Sequence, residues 1–201
     1  MITTLIFDIG GVLITPSEKI TPFILSQMFG IPLETAVGVY KESVERLRAG
    51  QLTVRDLVEQ LRVRYAASAH VPDLETEYGR YYKTQAIINT AVMDIIRRVA
   101  GRFQVVAFSN MNDLHVRCNR ERDMFRYFRK VYLSAVTGLV KPSREAFDHL
   151  LGDLGISPDE CFYVDDKAEN TDAGTSLGMS TYLFDSAMQL EGYMQKVGLL
   201  S

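Results

Sequence analysis

Polar side chains capable of chemistry stand directly behind apolar runs at four places in the sequence. They are Asp8 behind LIF, Ser109 and Asn110 behind VVAF, Lys141 behind TGLV, and Asp165 and Asp166 behind FYV. If such runs are parallel strands of an open sheet, ligands bind beyond their carboxyl ends, near the point where the strand order reverses. The pattern therefore predicts one site where carboxylates, a lysine, a hydroxyl and an amide converge.

Each of these groups also has an ordinary structural explanation. A single aspartate behind a strand is commonly a turn former, and Ser109–Asn110 also fits a turn. The pair Asp165–Asp166 fits the cap of a helix that begins near Lys167. Lys141 precedes a proline, which favours an extended backbone and an ordinary solvated lysine. The occurrence of all four groups in this order favours the functional explanation.

Short runs rich in β-branched and aromatic residues provide the strands that these groups follow. They lie near residues 2–8, 104–108, 130–134, 161–165 and 180–184. Several runs are apolar throughout, as is typical of strands buried on both faces of a parallel sheet. Helical patterns lie near residues 90–100, 112–124, 143–154 and 168–176, where crossover connections are needed. The sequence predicts an α/β fold with a doubly wound, Rossmann-like parallel sheet.

The interval between the first two predicted strands is roughly ninety residues, too long for an ordinary connection. It carries helical signals: PLETAVGVYKESVERLRAG begins at Pro32 and ends at Gly50, and Thr53 is a candidate N-cap for LTVRDLVEQLRVRYAASA. We therefore predict a helical cap inserted after the first strand. The expected division is a core of residues 1–14 and 89–201 and a cap of residues 15–88.

Composition argues against several kinds of partner. The chain has 201 residues, 47% of them hydrophobic, and a formal net charge of -3, which offers no field that attracts nucleic acid or an anionic membrane. The basic run RCNRERDMFRYFRK, residues 117–130, contains Glu121 and Asp123, which favours a solvated helix over an RNA-binding surface. No apolar stretch approaches the roughly 20 residues of a bilayer span. We expect a soluble, cytoplasmic protein without nucleic-acid or membrane partners, and the oligomeric state stays open.

The motifs and their order resemble the haloacid dehalogenase-like (HAD) superfamily over essentially the whole chain. FDIGGVLI is similar to the first motif of that family, VVAFSN to the second, GLVKPSREAF to the third and CFYVDDKAEN to the fourth. Residues near 15 to 88 match the helical cap that members insert after the first motif. Each motif is short, but the four together are specific.

The resemblance implies a catalytic role for three motifs. Asp8 resembles the nucleophile that attacks phosphorus and becomes an aspartyl phosphate. Ser109, with the neighbouring main chain and Asn110, resembles the group that hydrogen-bonds the transferring phosphoryl. Lys141 resembles the cation that holds nucleophile and phosphoryl oxygens. A carboxylate attacking an anionic phosphate is repelled by it, so a lysine and a hard cation are needed to offset the charge.

The resemblance also implies a Mg²⁺ site. Asp8, Asp165 and the main-chain carbonyl of Gly10 resemble its ligands, and Asp166 resembles a support for the metal waters or for Lys141. Carboxylate, carbonyl and water oxygens are the ligands that Mg²⁺ prefers. We expect both glycines of the first motif to allow the sharp turn that presents a bare carbonyl to the metal.

Gly10 is a departure from the family pattern. Many phosphatases of the family have an aspartate two residues after the nucleophile, which acts as general acid and base. Relatives that combine a glycine there with an acidic pair in the fourth motif include sugar-1-phosphate phosphatases acting on α-glucose 1-phosphate. Haloacid dehalogenases proper differ in the fourth motif and use no metal, so Asp165–Asp166 favours phosphoryl transfer.

We therefore expect a Mg²⁺-dependent hydrolase that removes phosphate from a small phosphorylated metabolite, with a sugar phosphate as the favoured substrate. The cap would close over the site and exclude water. One alternative is a 2-haloacid dehalogenase-type hydrolase, in which Asp8 forms a carboxylic ester and halide leaves without a metal. The other is a phosphate-binding regulatory module whose turnover was lost with the acid at position 10.

Overall fold

The computed structural model describes residues 1–14, 16–64 and 73–200. Within them lies one parallel sheet of order β3-β2-β1-β4-β5. The strands are β1 (Thr4–Phe7), β2 (Gln104–Ser109), β3 (Lys130–Leu133), β4 (Cys161–Asp165) and β5 (Ser180–Leu183). β1 is central, with β2 on one side and β4 on the other, so the carboxyl ends that carry Asp8, Ser109 and Asp165 are neighbours. The predicted α/β class and parallel sheet are confirmed.

The sheet is buried on both faces, as its apolar runs predict. Leu5 and Phe7 of β1 face one apolar layer, whereas Ile6 faces a second layer with Phe108 of β2 and Tyr163 of β4. This alternation follows from the two-residue period of a strand. Residues that end these strands are therefore held by a packed core on either side.

Helices fill the interval between β1 and β2. They are α1 (Ser17–Phe29), α2 (Leu33–Arg48), α3 (Val54–Arg64) and α4 (Leu74–Gln85), and we call them the helical insert. α2 follows Pro32, and the hydroxyl of Thr53 accepts a hydrogen bond of 3.1 Å from the Asp56 amide at the start of α3, as the sequence predicts. The end of the second predicted helical segment, beyond Arg64, lies outside the described residues.

The remaining helices cover the sheet. They are α5 (Thr90–Val99), α6 (Asp113–Glu121), α7 (Ser134–Thr137), α8 (Arg144–Leu154), α9 (Ala168–Ser176) and α10 (Ala187–Lys196). Residues 117–130 do not form one solvated helix: α6 ends at Glu121, and Met124 and Phe128 beyond it are buried. The interleaved apolar residues pack inward, so the mixed charge of this run describes only its outer surface.

The helical insert meets the core where α2 packs on α7 and where α4, itself packed on α1, packs on α6. Three buried polar side chains join α1, α4 and α6, since Tyr78 Oη lies 3.0 Å from Thr21 Oγ1 and 2.9 Å from His115 Nε2. His115 is thus a packing residue. The predicted domain boundaries stay a prediction, and residues 15 and 65–72 of the predicted cap lie outside the described part of the chain. No described helix is long and apolar enough to cross a bilayer.

Candidate active site

A buried ion cluster occupies the carboxyl end of the sheet. The Lys141 ammonium donates to Asp8 Oδ1 at 3.0 Å and to Asp165 Oδ2 at 2.6 Å, and these three side chains are almost wholly inaccessible. Asp8 follows β1 and Asp165 ends β4, while Lys141 comes from the loop between α7 and α8. The fold therefore brings Asp8 next to Lys141 and Asp165, from which the sequence separates it by more than a hundred positions.

The position of Lys141 is fixed from several sides. Its ammonium also donates to the main-chain carbonyl of Phe108 at 2.6 Å and lies 3.1 Å from the Tyr163 hydroxyl. Its main chain forms a reciprocal pair with the Asn110 amide: the Lys141 N–H donates to Asn110 Oδ1 at 2.9 Å, and Asn110 Nδ2 donates to the Lys141 carbonyl at 2.8 Å. Asn110 thus holds the lysine loop against the end of β2.

Asp165 has hydrogen-bond donors at both carboxylate oxygens. Oδ1 accepts from the Lys167 N–H and from Asn170 Nδ2, each at 2.9 Å, and Oδ2 accepts from Lys141 and from the Tyr163 hydroxyl. Asp166 differs, because its Oδ1 is buried without a partner. A buried carboxylate oxygen without a donor is costly. Asp166 is therefore the carboxylate of this pair that has an oxygen available to a further ligand.

The charges of the site do not balance. Burial raises the pKa of Asp8, and repulsion from Asp165 and Asp166 adds to this effect against the attraction of Lys141. Burial and the Asp165 charge likewise raise the pKa of Asp166. Burial works to lower the pKa of Lys141, but Asp8 and Asp165 outweigh it and raise that pKa. Lys141 bonds Asp8 and Asp165, and the charge of Lys167 works to lower the pKa of Asp166 without offsetting its burial, so an additional cation would further stabilise the ionised carboxylates.

The carboxylates meet the requirements of a hard divalent cation. Asp8, Asp165 and Asp166 each offer an oxygen within 4.8 Å of the other two. All are oxygen donors, as Mg²⁺ requires, and the partnerless Asp166 Oδ1 and the excess negative charge both favour a cation there. The residues present therefore fit a Mg²⁺ ion.

The two glycines of the first motif differ from each other. Gly11 has a φ of +92°, and a Cβ built on it would lie 1.9 Å from Asp166 Oδ2. Gly10 does not have a positive φ, and a Cβ there would meet nothing within 4 Å. The expectation that both glycines are required by unusual dihedrals is therefore wrong for Gly10, whereas Gly11 is required both by its conformation and by the approach of Asp166.

Ser109 and Asn110 follow each other at the end of β2 but are placed differently. Ser109 is the last residue of β2 and is buried. Asn110 lines a small cavity above Asp8, together with Gly10 and Lys141. The structure thus brings Asp8, Gly10, Asn110 and Lys141 to one cavity, with Asp165 and Asp166 beside it.

Four further residues line this cavity, and motif reasoning did not identify them. They are Glu18, Arg48, Lys167 and Asn170. Glu18 and Arg48 come from the helical insert, and Glu18 Oε1 accepts from Arg48 at 3.1 Å and from Lys167 at 2.5 Å. The only sequence signal was the position of Lys167 and Asn170 just after the acidic pair.

Comparison with known proteins identifies the same family that the motifs resemble. Residues 2–178 match the family model of the haloacid dehalogenase-like hydrolases. The chain is 23% identical over 191 residues to a D-ribitol-5-phosphate phosphatase of Bacteroides thetaiotaomicron, covering 90% of this chain and 91% of that protein. It is 28% identical to a sesquiterpene phosphatase of Aspergillus oryzae, covering 96% of this chain and 95% of that protein.

Solved structures share the fold. A HAD family enzyme of Bacteroides thetaiotaomicron, in complex with magnesium and inorganic phosphate, superposes with a TM-score of 0.76 at 23% identity, covering 92% of this chain and 95% of that one. At this identity the likeness concerns the fold.

Proposed function

The chain belongs to the haloacid dehalogenase-like hydrolase family, and from that premise we propose that it is a Mg²⁺-dependent phosphatase of a small phosphorylated metabolite. The observation that carries the proposal is the buried Asp8 carboxylate, bonded to Lys141 and next to the partnerless oxygen of Asp166. A nucleophilic carboxylate, a cation that neutralises it and a free metal-ligand oxygen are what phosphoryl transfer to aspartate requires. The names of the two curated relatives described above, each a phosphatase, support this reaction class.

In this proposal one Asp8 carboxylate oxygen bonds to phosphorus while the ester P–O bond breaks, and the alcohol leaves with a proton from solvent. Water then hydrolyses the aspartyl phosphate to free Asp8 and inorganic phosphate. Lys141 stays bonded to Asp8 and to Asp165, so it offsets the negative charge gathered when a phosphate approaches Asp8. Asn110 fixes the lysine loop, and Ser109 and the adjoining main chain would bind the phosphoryl oxygens. The charged groups are already oriented by the fold, which reduces reorganisation during the reaction.

We propose that Asp8, Asp166 and the main-chain carbonyl of Gly10 hold the Mg²⁺ directly. Asp165 serves the site by orienting Lys141 and the turn at Lys167, since both of its oxygens already accept hydrogen bonds. This exchanges the roles that the sequence resemblance implies for Asp165 and Asp166. When bound, the ion would neutralise the carboxylates and the phosphoryl charge.

We further propose residues 1–14 and 89–201 as the core and residues 15–88 as a cap that closes over the core. Glu18 and Arg48 of the helical insert form part of the cavity wall and support this role, and Glu18 bonds to Lys167 of the core. The centre of a water molecule can occupy only ≈ 20 Å³ of the cavity, so the closed form excludes bulk water from Asp8. This would protect the aspartyl phosphate from uncontrolled hydrolysis.

A sugar or polyol phosphate is the proposed substrate class. The D-ribitol-5-phosphate phosphatase among the relatives supports it, and every residue that lines the cavity is either polar or glycine. Gly10 provides no carboxylate to protonate a leaving alkoxide, so within this class we expect anomeric sugar phosphates, whose leaving oxygen carries negative charge more easily, to react faster than primary-alcohol phosphates such as D-ribitol 5-phosphate.

The test is a parallel assay of phosphate and halide release by the purified chain. The substrates are p-nitrophenyl phosphate, glucose 1-phosphate, glucose 6-phosphate and D-ribitol 5-phosphate, with 2-chloropropionate as the halide donor. We expect phosphate release that requires Mg²⁺ and stops in excess chelator. Halide release without metal would establish the dehalogenase alternative, and phosphate binding without release would establish the regulatory module.

A further inference from the structure

Partnerless buried polar atoms concentrate at the cavity. Among the described residues, the buried side-chain nitrogen and oxygen atoms without a hydrogen-bond partner are Arg48 Nε, Asn119 Nδ2, Asp166 Oδ1 and Asn170 Oδ1. Asp166 belongs to the metal site already described. Arg48 and Asn170 both line the cavity, one on the insert and the other on α9 of the core.

These two atoms have opposite hydrogen-bonding character. Arg48 Nε can only donate, and the other two guanidinium nitrogens already donate to Glu45 and Glu18, each at 3.1 Å. Asn170 Oδ1 can only accept, and its Nδ2 already donates to Asp165. Leaving such groups buried and unpaired is unfavourable, so a ligand that satisfies them gains affinity.

The size of the cavity shows that a substrate must change its walls. A cavity of ≈ 20 Å³ accommodates about one water molecule, and every phosphate ester is larger. Glu18 and Arg48 are the walls that the insert contributes, and Glu18 is bonded to Lys167 of the core. A leaving group that widens the cavity between insert and core therefore meets these side chains.

Three substrate classes would meet this wall differently. A hydroxyl group both donates and accepts, so the hydroxyls of a polyol can satisfy Arg48 Nε and Asn170 Oδ1 together. A second carboxylate or phosphate can accept from Arg48 but offers no proton to Asn170, and it is repelled by Glu18. A hydrocarbon forms a hydrogen bond with neither atom, and it removes water from the polar groups of Glu18, Arg48, Lys167 and Asn170.

We propose that Arg48, Asn170 and Glu18 are specificity-determining residues that select uncharged, polyhydroxylated monophosphates over terpenyl monophosphates and over phosphates with a second anionic group. The inference deepens the proposed phosphatase function and rests on it. Arg48 is the residue whose chemistry decides most, because its Nε has no partner while the two terminal nitrogens of the guanidinium donate to Glu45 and Glu18.

The test measures kcat/KM of wild type, Arg48→Lys and Glu18→Gln. The substrates are D-ribitol 5-phosphate, 3-phosphoglycerate, a C15 terpenyl monophosphate and p-nitrophenyl phosphate, the last as a reference without hydroxyls. Since a lost hydrogen bond to a charged group costs about 10- to 100-fold, Arg48→Lys should lose that factor on ribitol phosphate and change less than about threefold on the reference. Glu18→Gln should raise kcat/KM for 3-phosphoglycerate relative to the reference.

The matched control is Arg46→Lys, an exposed arginine on the same helix, which should leave all four values unchanged. Calorimetric titration of ribitol 5-phosphate and inorganic phosphate into Asp8→Asn, with and without Arg48→Lys, measures selection apart from turnover. Equal losses of Arg48→Lys on all substrates, or unchanged binding of ribitol phosphate, would overturn the inference. If wild type hydrolyses none of the esters although Arg48→Lys weakens polyol binding, the proposed phosphatase function fails and the assignment of Arg48 stands.

Discussion

The floor and the rim of the cavity are built in opposite ways. The floor, made of Asp8, Lys141 and Asp165 at the ends of core strands and loops, is buried and joined by short hydrogen bonds. The rim, where Glu18 of the insert bridges Arg48 and Lys167, is held by partly exposed ion pairs. Exposed ion pairs contribute little stability and exchange easily, whereas buried charges cannot be left unpaired. The floor is thus suited to fixed chemistry and the rim to substrate exchange.

The largest effect should come from Asp8→Asn on the floor, which keeps the size of the side chain and removes the nucleophilic charge. We expect kcat to fall by about 10³-fold or more, since the covalent intermediate can no longer form. The stability should be unchanged or higher, because one of three crowded carboxylates is gone. Steady-state kinetics and thermal unfolding check this against Asp172→Asn, an exposed aspartate on α9. Retention of substantial activity by Asp8→Asn would end the covalent mechanism.

Lys141→Met should damage stability as well as activity. It leaves Asp8 and Asp165 buried without their shared cation, and removing one partner from a buried ion pair costs about 3–5 kcal/mol. Urea unfolding in the absence of metal gives the loss directly. Lys130→Met is the control, since that ammonium is partly exposed and bonded to Asp153 near the other end of the sheet. Equal losses of unfolding free energy in the two variants would mean that the buried ion pairs of Lys141 stabilise the fold no more than the exposed ion pair of Lys130.

The two glycines of the first motif test two properties of the floor separately: Gly11 tests the metal site, and Gly10 tests the missing general acid. Gly11→Ala drives a Cβ into Asp166, so it should abolish Mg²⁺-dependent activity and weaken Mg²⁺ binding measured by calorimetry.

Gly10→Asp enters open space beside Asp8 and adds a carboxylate that can act as a general acid, whose help is worth at most about 10²–10⁴-fold.

The measurement for Gly10→Asp is the dependence of kcat/KM on leaving-group pKa, with a series of aryl phosphates. Wild type should show a steep dependence, and the variant a flatter one with a gain on the poorest leaving groups. Gly10→Ala is the steric control and should keep the wild-type slope. A flat dependence in wild type, with chemistry rate-limiting, would show that another group already donates the proton.

The smallest effect concerns His115, which connects the core to the helical insert that carries the rim. Burial lowers the pKa of His115 to about 3, with Glu18 acting in the opposite direction. Because the folded pKa lies below the unfolded value of about 6.5, the unfolded chain binds the proton first and stability is lost as pH falls below about 6.5. From pH 7 to pH 5 this loss is about 2 kcal/mol. Urea unfolding across this range should show it, and His115→Gln should remove that part of the slope. An identical slope in the variant would refute the assignment.

Asp8 and Asp165 of the floor could be predicted because each stands at the end of an apolar strand. The expectation that Lys141 also follows a strand is wrong, since TGLV is the end of α7 and the loop behind it, and only the resemblance of its motif indicated this residue. The sheet order then brings these strand ends together. The rim could not be predicted in this way, since Glu18 and Arg48 lie thirty residues apart on separate helices and meet only through the packing of α1 on α2. The difference between Gly10 and Gly11 depends on a backbone dihedral and on the approach of Asp166, neither of which leaves a trace in residue type.

The roles of Asp165 and Asp166 show the same limit on a finer scale. The sequence presents two identical side chains in succession, and only the hydrogen bonds distinguish them. Asp165 accepts from a lysine, a tyrosine, an asparagine and a main-chain amide, whereas Asp166 keeps an oxygen without a donor. A carboxylate with a free oxygen can bind a metal, and a carboxylate whose oxygens are all bonded orients its neighbours. The sequence cannot tell the two apart, because the difference is in their hydrogen-bond partners.

The central place of β1 in the sheet has a consequence for synthesis on the ribosome. Thr4 pairs with Gln104 of β2 and with Cys161 of β4, so β1, which leaves the ribosome before the other four strands, waits a hundred residues for its first neighbour. At about 5–20 residues per second this delay is roughly 5–20 s, during which an apolar strand has no partner to pair with. The contacts of α1 with α2 are local in sequence and can form in that time. We expect the insert to fold first and the nucleophile to reach its environment only when the later strands arrive.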